Sequence, residues 1–276
     1  MAIITISRGT FSGGQKLAEC LAKKLGYKSI SREILVDAAE KYGISEKILI
    51  KAMKSKPAIK ERLSLNIDRF RYLSFIQATL CEQAKNDNIV YYGHAGHLLL
   101  KDACSVIKVK VITTMEQRLA FAMECNKFSR EEAATYIKKM DRYRGKWTKF
   151  LYNIDWNDPS MYDIIINLEY MTMQTACEIV CTMAKSPEYV LTKEKKEALS
   201  DLALESSVKA KLAADKNTKY YMLKISAKGG HVKIYGRVKN IDYANRIKAI
   251  VSELPGVKSV DCSCADYYIN DNVIVH

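Results

Sequence analysis

The chain opens with an apolar strand that breaks into a glycine-rich turn and then a helix, all within twenty-five residues. Ile3, Ile4 and Ile6 make the strand, and Ser7-Arg8-Gly9-Thr10-Phe11-Ser12-Gly13-Gly14-Gln15-Lys16 the turn. Leu17, Leu21, Ala22 and Leu25 then line one helical face, with Lys23 and Lys24 off it. This order constrains fold and ligand together. Glycines let backbone N–H groups turn inward, and a helix start adds roughly half a positive charge. A phosphate suits such a place. Gly9 and Gly14 have the glycine spacing of the phosphate-loop pattern G-x-x-x-x-G-K-[ST], but Gln15 and Lys16 stand where lysine and a hydroxyl are expected. The lysine comes one position late. A tight strand-to-helix turn with no ligand is the plain alternative.

At 276 residues the chain has room for one medium domain and a small one. No apolar run approaches the ~18 residues of a membrane span, and the N-terminus lacks the layout of a secretory signal, so a cytoplasmic location is expected. The eight cysteines are scattered through apolar stretches. Cys177 and Cys181, and Cys262 and Cys264, lack the partner ligands of a zinc site, so they read as reduced thiols and no metal site is expected. His94 and His97, three apart, also lack a third ligand nearby. The net charge of +13 falls mainly before residue 197, which suits a polyphosphate ligand but would also suit RNA or an acidic membrane surface.

Further strands are expected at Ile89–Gly93, Val106–Thr113 and Tyr162–Asn167, with helices between them. Residues 27–33 read as a short connection, and residues 45–87 as mostly helical and basic, broken at Pro57. Ser129 followed by Glu132 reads as a capped helix start leading into the cluster Lys138, Lys139, Arg142, Arg144 and Lys146. Strands alternating with helices imply an α/β fold with a parallel sheet. After Ser186-Pro187 the pattern changes. A charged connector over 188–200 precedes an amphipathic helix over 202–212, a hairpin turning at Gly229-Gly230, a helix over 243–254 and a strand over 257–264. This αββαβ unit reads as a second, smaller α+β domain. The expected organisation is a domain over 1–186, a linker over 187–200 and a domain over 201–276, with removal of 197–276 leaving a folded core.

The residues just quoted resemble the cytidylate kinase-like family, a branch of the P-loop nucleoside monophosphate kinases. The likeness runs over about residues 3–183. It rests on I-T-I-S-R with S-G-G, on S-R-E-I-L at Ser31–Leu35, and on the strand ending in Gly93. It rests further on Glu116 with Arg118, on D-x-x-R at Asp141 and Arg144, and on W-x-D-P-x-x-Y-D-x-x-I-N from Trp156 to Asn167. The tail resembles a BON domain through V-K-I-Y-G-R-V and L-P-G-V-K-S-V.

The resemblance implies an ATP- and Mg²⁺-dependent phosphotransferase acting on a nucleoside monophosphate of the CMP or dCMP kind, or on a related small acceptor. Ser7, Arg8, Gly9, Ser12, Gly13, Gly14, Gln15 and Lys16 would hold the phosphates of ATP. Lys16, Asp141, Arg142 and Arg144 would serve catalysis, the last three from a closing lid, and Arg32 and His94 would lie at the acceptor. A solvated basic face is the plain alternative for Arg142 and Arg144, and an ion pair to them for Asp141. The family has aspartate where Ser31 stands, glycine where Phe11 stands and arginine where His94 stands. A neutral imidazole does not replace a bidentate guanidinium at a phosphate. No metal-binding carboxylate is evident, Asp102 and Asp141 being the candidates. A nucleotide-binding pseudokinase or regulatory protein, docking through its BON-like tail to a phospholipid surface or a protein partner, is therefore the second reading. A third is an RNA- or membrane-associated adaptor resting on charge, with Tyr143, Trp147, Phe150, Tyr152 and Trp156 available for base stacking. A nucleic-acid partner is not expected on balance, and self-association is left open.

Overall fold

A computed structural model describes residues 2–31, 33–43, 45, 64–85, 88–93, 95–100, 105–219 and 223–267. Arg32, His94 and Asp102, together with the Pro57 break, lie outside the described residues.

Strand β1 (Ile3–Arg8) is the middle of a parallel five-stranded sheet. The order is β2 (Lys28–Ile30), β3 (Ile89–Tyr91), β1, β4 (Val106–Ile112) and β5 (Ile164–Asn167), confirming the expected α/β architecture. Its near-continuous apolar run follows from burial on both faces. Ile3 packs with Ile30, Ile76 and Leu80, while Ile4 and Ile6 pack on the other side with Leu17, Leu21 and Val180. Residues 27–33, expected to be only a connection, carry the edge strand β2, which pairs Ser29 with Val90. Three residues with one buried apolar side chain, Ile30, are too short to show a period.

Helices α1 (Gly14–Leu25), α2 (Glu33–Lys41), α3 (Ser64–Ala84), α4 (Gly96–Leu99), α5 (Met115–Asn126) and α6 (Arg130–Tyr152) lie between these strands, and α7 (Met173–Lys185) follows the last of them. Ser129 caps α6 with a full capping box: its side chain accepts from the Glu132 amide, and Glu132 reaches back to the Ser129 amide.

The smaller unit has a three-stranded sheet, with β6 (Lys224–Lys228) antiparallel to β7 (His231–Val238) and β7 parallel to β8 (Ser259–Tyr267). The parallel pair needs a crossover, which α9 (Ile241–Ser252) supplies. Val232, Ile234 and Val238 meet Ala244, Ile247 and Val251 in its core.

The expected connector over 188–200 is corrected by the structure. From Lys193 it is already helical, and α8 (Lys193–Ala214) runs unbroken through the region. Its Leu199, Leu202 and Ala203 belong to the same buried cluster as Ile3 and Ile30, while Val208 and Leu212 belong to the core of the small sheet. Ala210 packs with Ala38, Phe75 and Ala78, and Arg71 Nε donates to the Ala213 carbonyl at 2.6 Å. A helix that is apolar on two sides shows no single stripe, so its first turns read from sequence as a charged connector. Among the described residues no helix is long and apolar enough to cross a membrane.

Burying a leucine side chain contributes about 1.5–3 kcal/mol, and truncating it in a core costs about 2–5 kcal/mol. Leu199→Ala, at a position 1% exposed, is therefore expected to lower the unfolding free energy by about that amount. Because α8 belongs to both cores, calorimetry on the intact chain should give one cooperative transition. A chain ending at residue 196 should be insoluble or melt without cooperativity. Two well-separated transitions, or a stable truncated chain, would show that α8 does not unite the halves.

Candidate functional site

The loop between β1 and α1 is built tightly. Ser12 Oγ donates to the Gly9 carbonyl at 3.0 Å and approaches the Val111 carbonyl at 3.2 Å, tying the loop to the end of β4. Gly13 has φ +86°, and a Cβ there would lie 2.8 Å from Leu168 Cδ1, so only glycine fits without strain. A Cβ on Gly14 would lie 2.8 Å from Arg8 Cβ. The first turn of α1 receives no capping side chain and holds no acidic residue, so its amides and the positive end of the helix are available to an anion.

Phe11 adopts φ +60°, a left-handed conformation that costs a non-glycine residue about 1–2 kcal/mol. Its ring packs against Phe121 and Tyr136, at 6.0 Å between centroids in each case. Lys16 is exposed, with Nζ 4.5 Å from the Phe121 ring centroid. Gln15 is exposed as well and bonds Glu19 at 2.9 Å.

Helices α5 and α6 bring three further side chains onto the loop. Asp141 Oδ1 accepts from the Thr10 amide at 2.9 Å and from Thr10 Oγ1 at 2.8 Å. Arg118 Nε donates to the Thr10 carbonyl at 2.8 Å, and its Nη2 is paired with Asp141 Oδ2. Arg144 Nη1 donates to the Arg8 carbonyl at 3.1 Å and to Thr10 Oγ1 at 2.9 Å, and lies 3.6 Å from Asp141 Oδ1. Of the ion pairs to Arg142 and Arg144 that stood as the plain alternative for Asp141, the one to Arg144 is present, but the closer partner is Arg118. Asp141 and Arg144 are 22% and 21% exposed in their side chains and Arg118 13%, so this is a largely shielded network rather than a surface pair.

Arg8 completes the site. It is half-buried, its Nη1 donates to the Tyr92 carbonyl, and burial lowers the pKa of its guanidinium. Burial first, then the charge of Arg8, pulls Arg144 down to about 10, with Asp141 opposing and Arg118 adding to the fall. Two guanidinium groups, Arg118 and Arg144, therefore face one carboxylate, and Arg8 adds its positive charge beside Arg144. Such an excess of confined positive charge attracts phosphate.

Beside this network, at the C-terminal ends of β1 and β3, lies a narrow, partly open cavity of about 20 Å³, room for about one water molecule. Ser7, Arg8, His97, Arg144 and Trp156 are on its wall. Ser7 Oγ and Tyr162 Oη are 3.3 Å apart, and Tyr162 donates to the Trp156 carbonyl at 2.6 Å. Lys110, almost fully buried, donates from Nζ to that same carbonyl at 2.9 Å and to Asn157 Oδ1 at 3.0 Å.

The structure therefore gathers Ser7, Arg8, Gly9, Ser12, Gly13, Gly14, Asp141 and Arg144 around one loop. Lys16 is turned onto Phe121, and Arg142 is exposed with Lys138, Lys139 and Lys146. Helical geometry explains the split. Ile137, Asp141, Arg144 and Thr148 share one face, and the other basic residues point away. Trp156 is 9% exposed and packs beside Lys110, which makes it a core residue rather than a stacking platform. Sequence reasoning assigned no role to Thr10, Arg118 or His97. The signal for Arg118 was its pairing with Glu116, yet Glu116 instead pairs with Arg130 at the surface.

Comparison with known proteins gives the same picture. Residues 3–170 match the model of the cytidylate kinase-like family, and residues 200–263 match the BON domain. A cytidylate kinase of Methanothrix thermoacetophila is 30% identical over 167 residues, covering 60% of this chain and 87% of that protein. One of Pyrobaculum islandicum is 26% identical over 191 residues, covering 66% and 95%. Among solved structures, an uncharacterized protein from Eubacterium ventriosum superposes with a TM-score of 0.51 at 20% identity, covering 67% of this chain and 99% of that one.

Removing one member of a fully buried charge network costs about 3–5 kcal/mol, and partial exposure reduces this. Asp141→Ala is expected to lower stability by about 1–3 kcal/mol in urea unfolding, because Arg8, Arg118 and Arg144 then repel one another without a counterion. An unchanged midpoint and slope would show that the carboxylate does not hold α6 on the loop.

Proposed function

Since the chain belongs to the cytidylate kinase-like family and carries a C-terminal BON domain, we propose that it is a phosphotransferase. In this reading it passes the γ-phosphoryl group of ATP to a nucleoside monophosphate of the CMP or dCMP kind, or to a related small acceptor. The observation that carries the reading is the three-arginine network closed over a glycine-rich loop with an uncapped helix behind it. Phosphoryl transfer is mainly positioning and charge neutralisation, and these groups supply both.

The amides of Gly13, Gly14, Gln15 and Lys16 would receive the phosphates, with Arg8 and Arg144 countering charge. Mg²⁺ would supply further charge neutralisation at the phosphates. Ions of this kind usually rely on one or two carboxylates plus substrate phosphates. Among the described residues no group of three metal-ligating side chains stands together, and Asp141 is the carboxylate nearest the loop. The residues fit the phosphates well and offer the ion little beyond that one oxygen donor, so the chain's own part in the chemistry is the guanidinium cluster. Arg32 and His94 remain the proposed contacts to the acceptor, and Lys16 would have to leave Phe121 to reach a phosphate.

Two observations favour the second reading, a nucleotide-binding pseudokinase or regulator docking through its BON domain to a phospholipid surface or a protein. The loop lysine rests on an aromatic ring, and the Thr10 amide is already taken by Asp141.

Purified protein with ATP and Mg²⁺ is expected to release ADP faster when CMP or dCMP is added, and Arg144→Ala should lower kcat by about 10²–10³-fold. A rise in melting temperature with ATP, lost in Arg8→Ala, but with no turnover on any monophosphate, would select the second reading. No response to ATP by either measure would remove both.

A further inference from the structure

His97 lies on the first turn of α4, 4% exposed, with neither ring nitrogen bonded to any protein group among the described residues. A histidine buried for packing alone normally satisfies at least one nitrogen, since an unpaired buried polar atom is destabilising. Among the described residues, two polar neighbours are committed elsewhere. Lys110 Nζ goes to Trp156 and Asn157, and Tyr162 Oη goes to Trp156 and Ser7, although the two rings are only 4.9 Å apart. The cavity it lines is also walled by Arg8 and Arg144. Ala95, on the same wall, holds a left-handed φ of +55°, and strained backbone of this kind collects at ligand sites.

We propose that His97 is a recognition residue for the acceptor, reading an uncharged group that both donates and accepts a hydrogen bond, either a sugar hydroxyl or the amide-like edge of a base. This rests on the kinase reading above and adds to it a residue and a ligand chemistry. The imidazole stays neutral at physiological pH: burial first, then the cations Lys108 and Lys110, holds it down to about 4. A neutral ring has one N–H and one lone pair, the complement of such a group. The anionic part of the same acceptor has Arg8 and Arg144 beside it. The cavity must widen to admit the ligand, as acceptor sites closed by a lid do.

The test compares full-length wild type with His97→Phe, which keeps the ring contact to Tyr162, and with His97→Asn, which keeps a donor and an acceptor. His97→Phe is expected to melt at or above the wild-type temperature and to keep its ATP-induced shift, while KM for CMP rises about 10-fold or more and kcat changes less. His97→Asn should recover part of that loss. Melting shifts with ribose 5-phosphate and with cytidine distinguish the sources: loss with both marks a sugar hydroxyl, and loss with cytidine alone marks the base edge. A lower melting temperature with unchanged KM would make His97 a structural core residue and overturn the inference while leaving the kinase reading intact. Wild type that responds to no acceptor would overturn both.

Discussion

The carboxylate of Asp141 joins three segments that are far apart in sequence: the loop after β1, the start of α5 and the middle of α6. It receives the Thr10 amide and hydroxyl on one oxygen and Arg118 on the other, with Arg144 close by. Without it, three guanidinium groups would be held near one another with no counterion. With it, the charges are partly neutralised and each has directed hydrogen bonds, the condition under which a shielded ionic network is tolerated. The excess of positive charge that remains faces the loop. Structure and proposed chemistry thus share one cause, because the arrangement that pins α6 also concentrates positive charge where a phosphate would arrive.

The aromatic residues of α5 and α6 support this loop from outside. Phe11 occupies a backbone conformation better suited to glycine, and Phe121 and Tyr136 offset the strain by packing on its ring. The same Phe121 takes the ammonium of Lys16. A departure at one position and the displaced lysine at another therefore meet on a single ring. The loop keeps its anion-binding backbone while its one lysine is drawn to the side.

Helix α8 shows how the two units share stability. Its N-terminal half completes the core of the parallel sheet and its C-terminal half completes the small mixed sheet. Small residues make the close contacts: Ala203 and Ala210 allow α3 and α8 to approach, and Ser206 Oγ meets Cys81 Sγ at 3.6 Å. Whatever the BON domain binds, its first helix packs on α3 and shares a buried cluster with the sheet that carries the candidate site.

Local pattern was enough for much of the molecule. The apolar runs at β1, β3 and β4, the capping pair Ser129 and Glu132, and the glycine turn before α1 each act within a few residues, so the chain itself specified a parallel α/β sheet with an anion-ready loop and a separate αββαβ tail. The edge strand β2 escaped notice because three residues carry no period, and the start of α8 because a helix buried on two sides loses its stripe. In the site, sequence could bring forward Asp141 and Arg144 through the family resemblance, though without separating Arg144 from Arg142, and Ser7 to Gly14 by their order. It could not show that Arg118 would be the principal partner of Asp141, that Lys16 would lie on Phe121, or that His97 would be buried with both nitrogens unpaired. Those outcomes depend on which side chains from distant segments compete for the same atoms, and only the folded chain places the competitors within reach of one another.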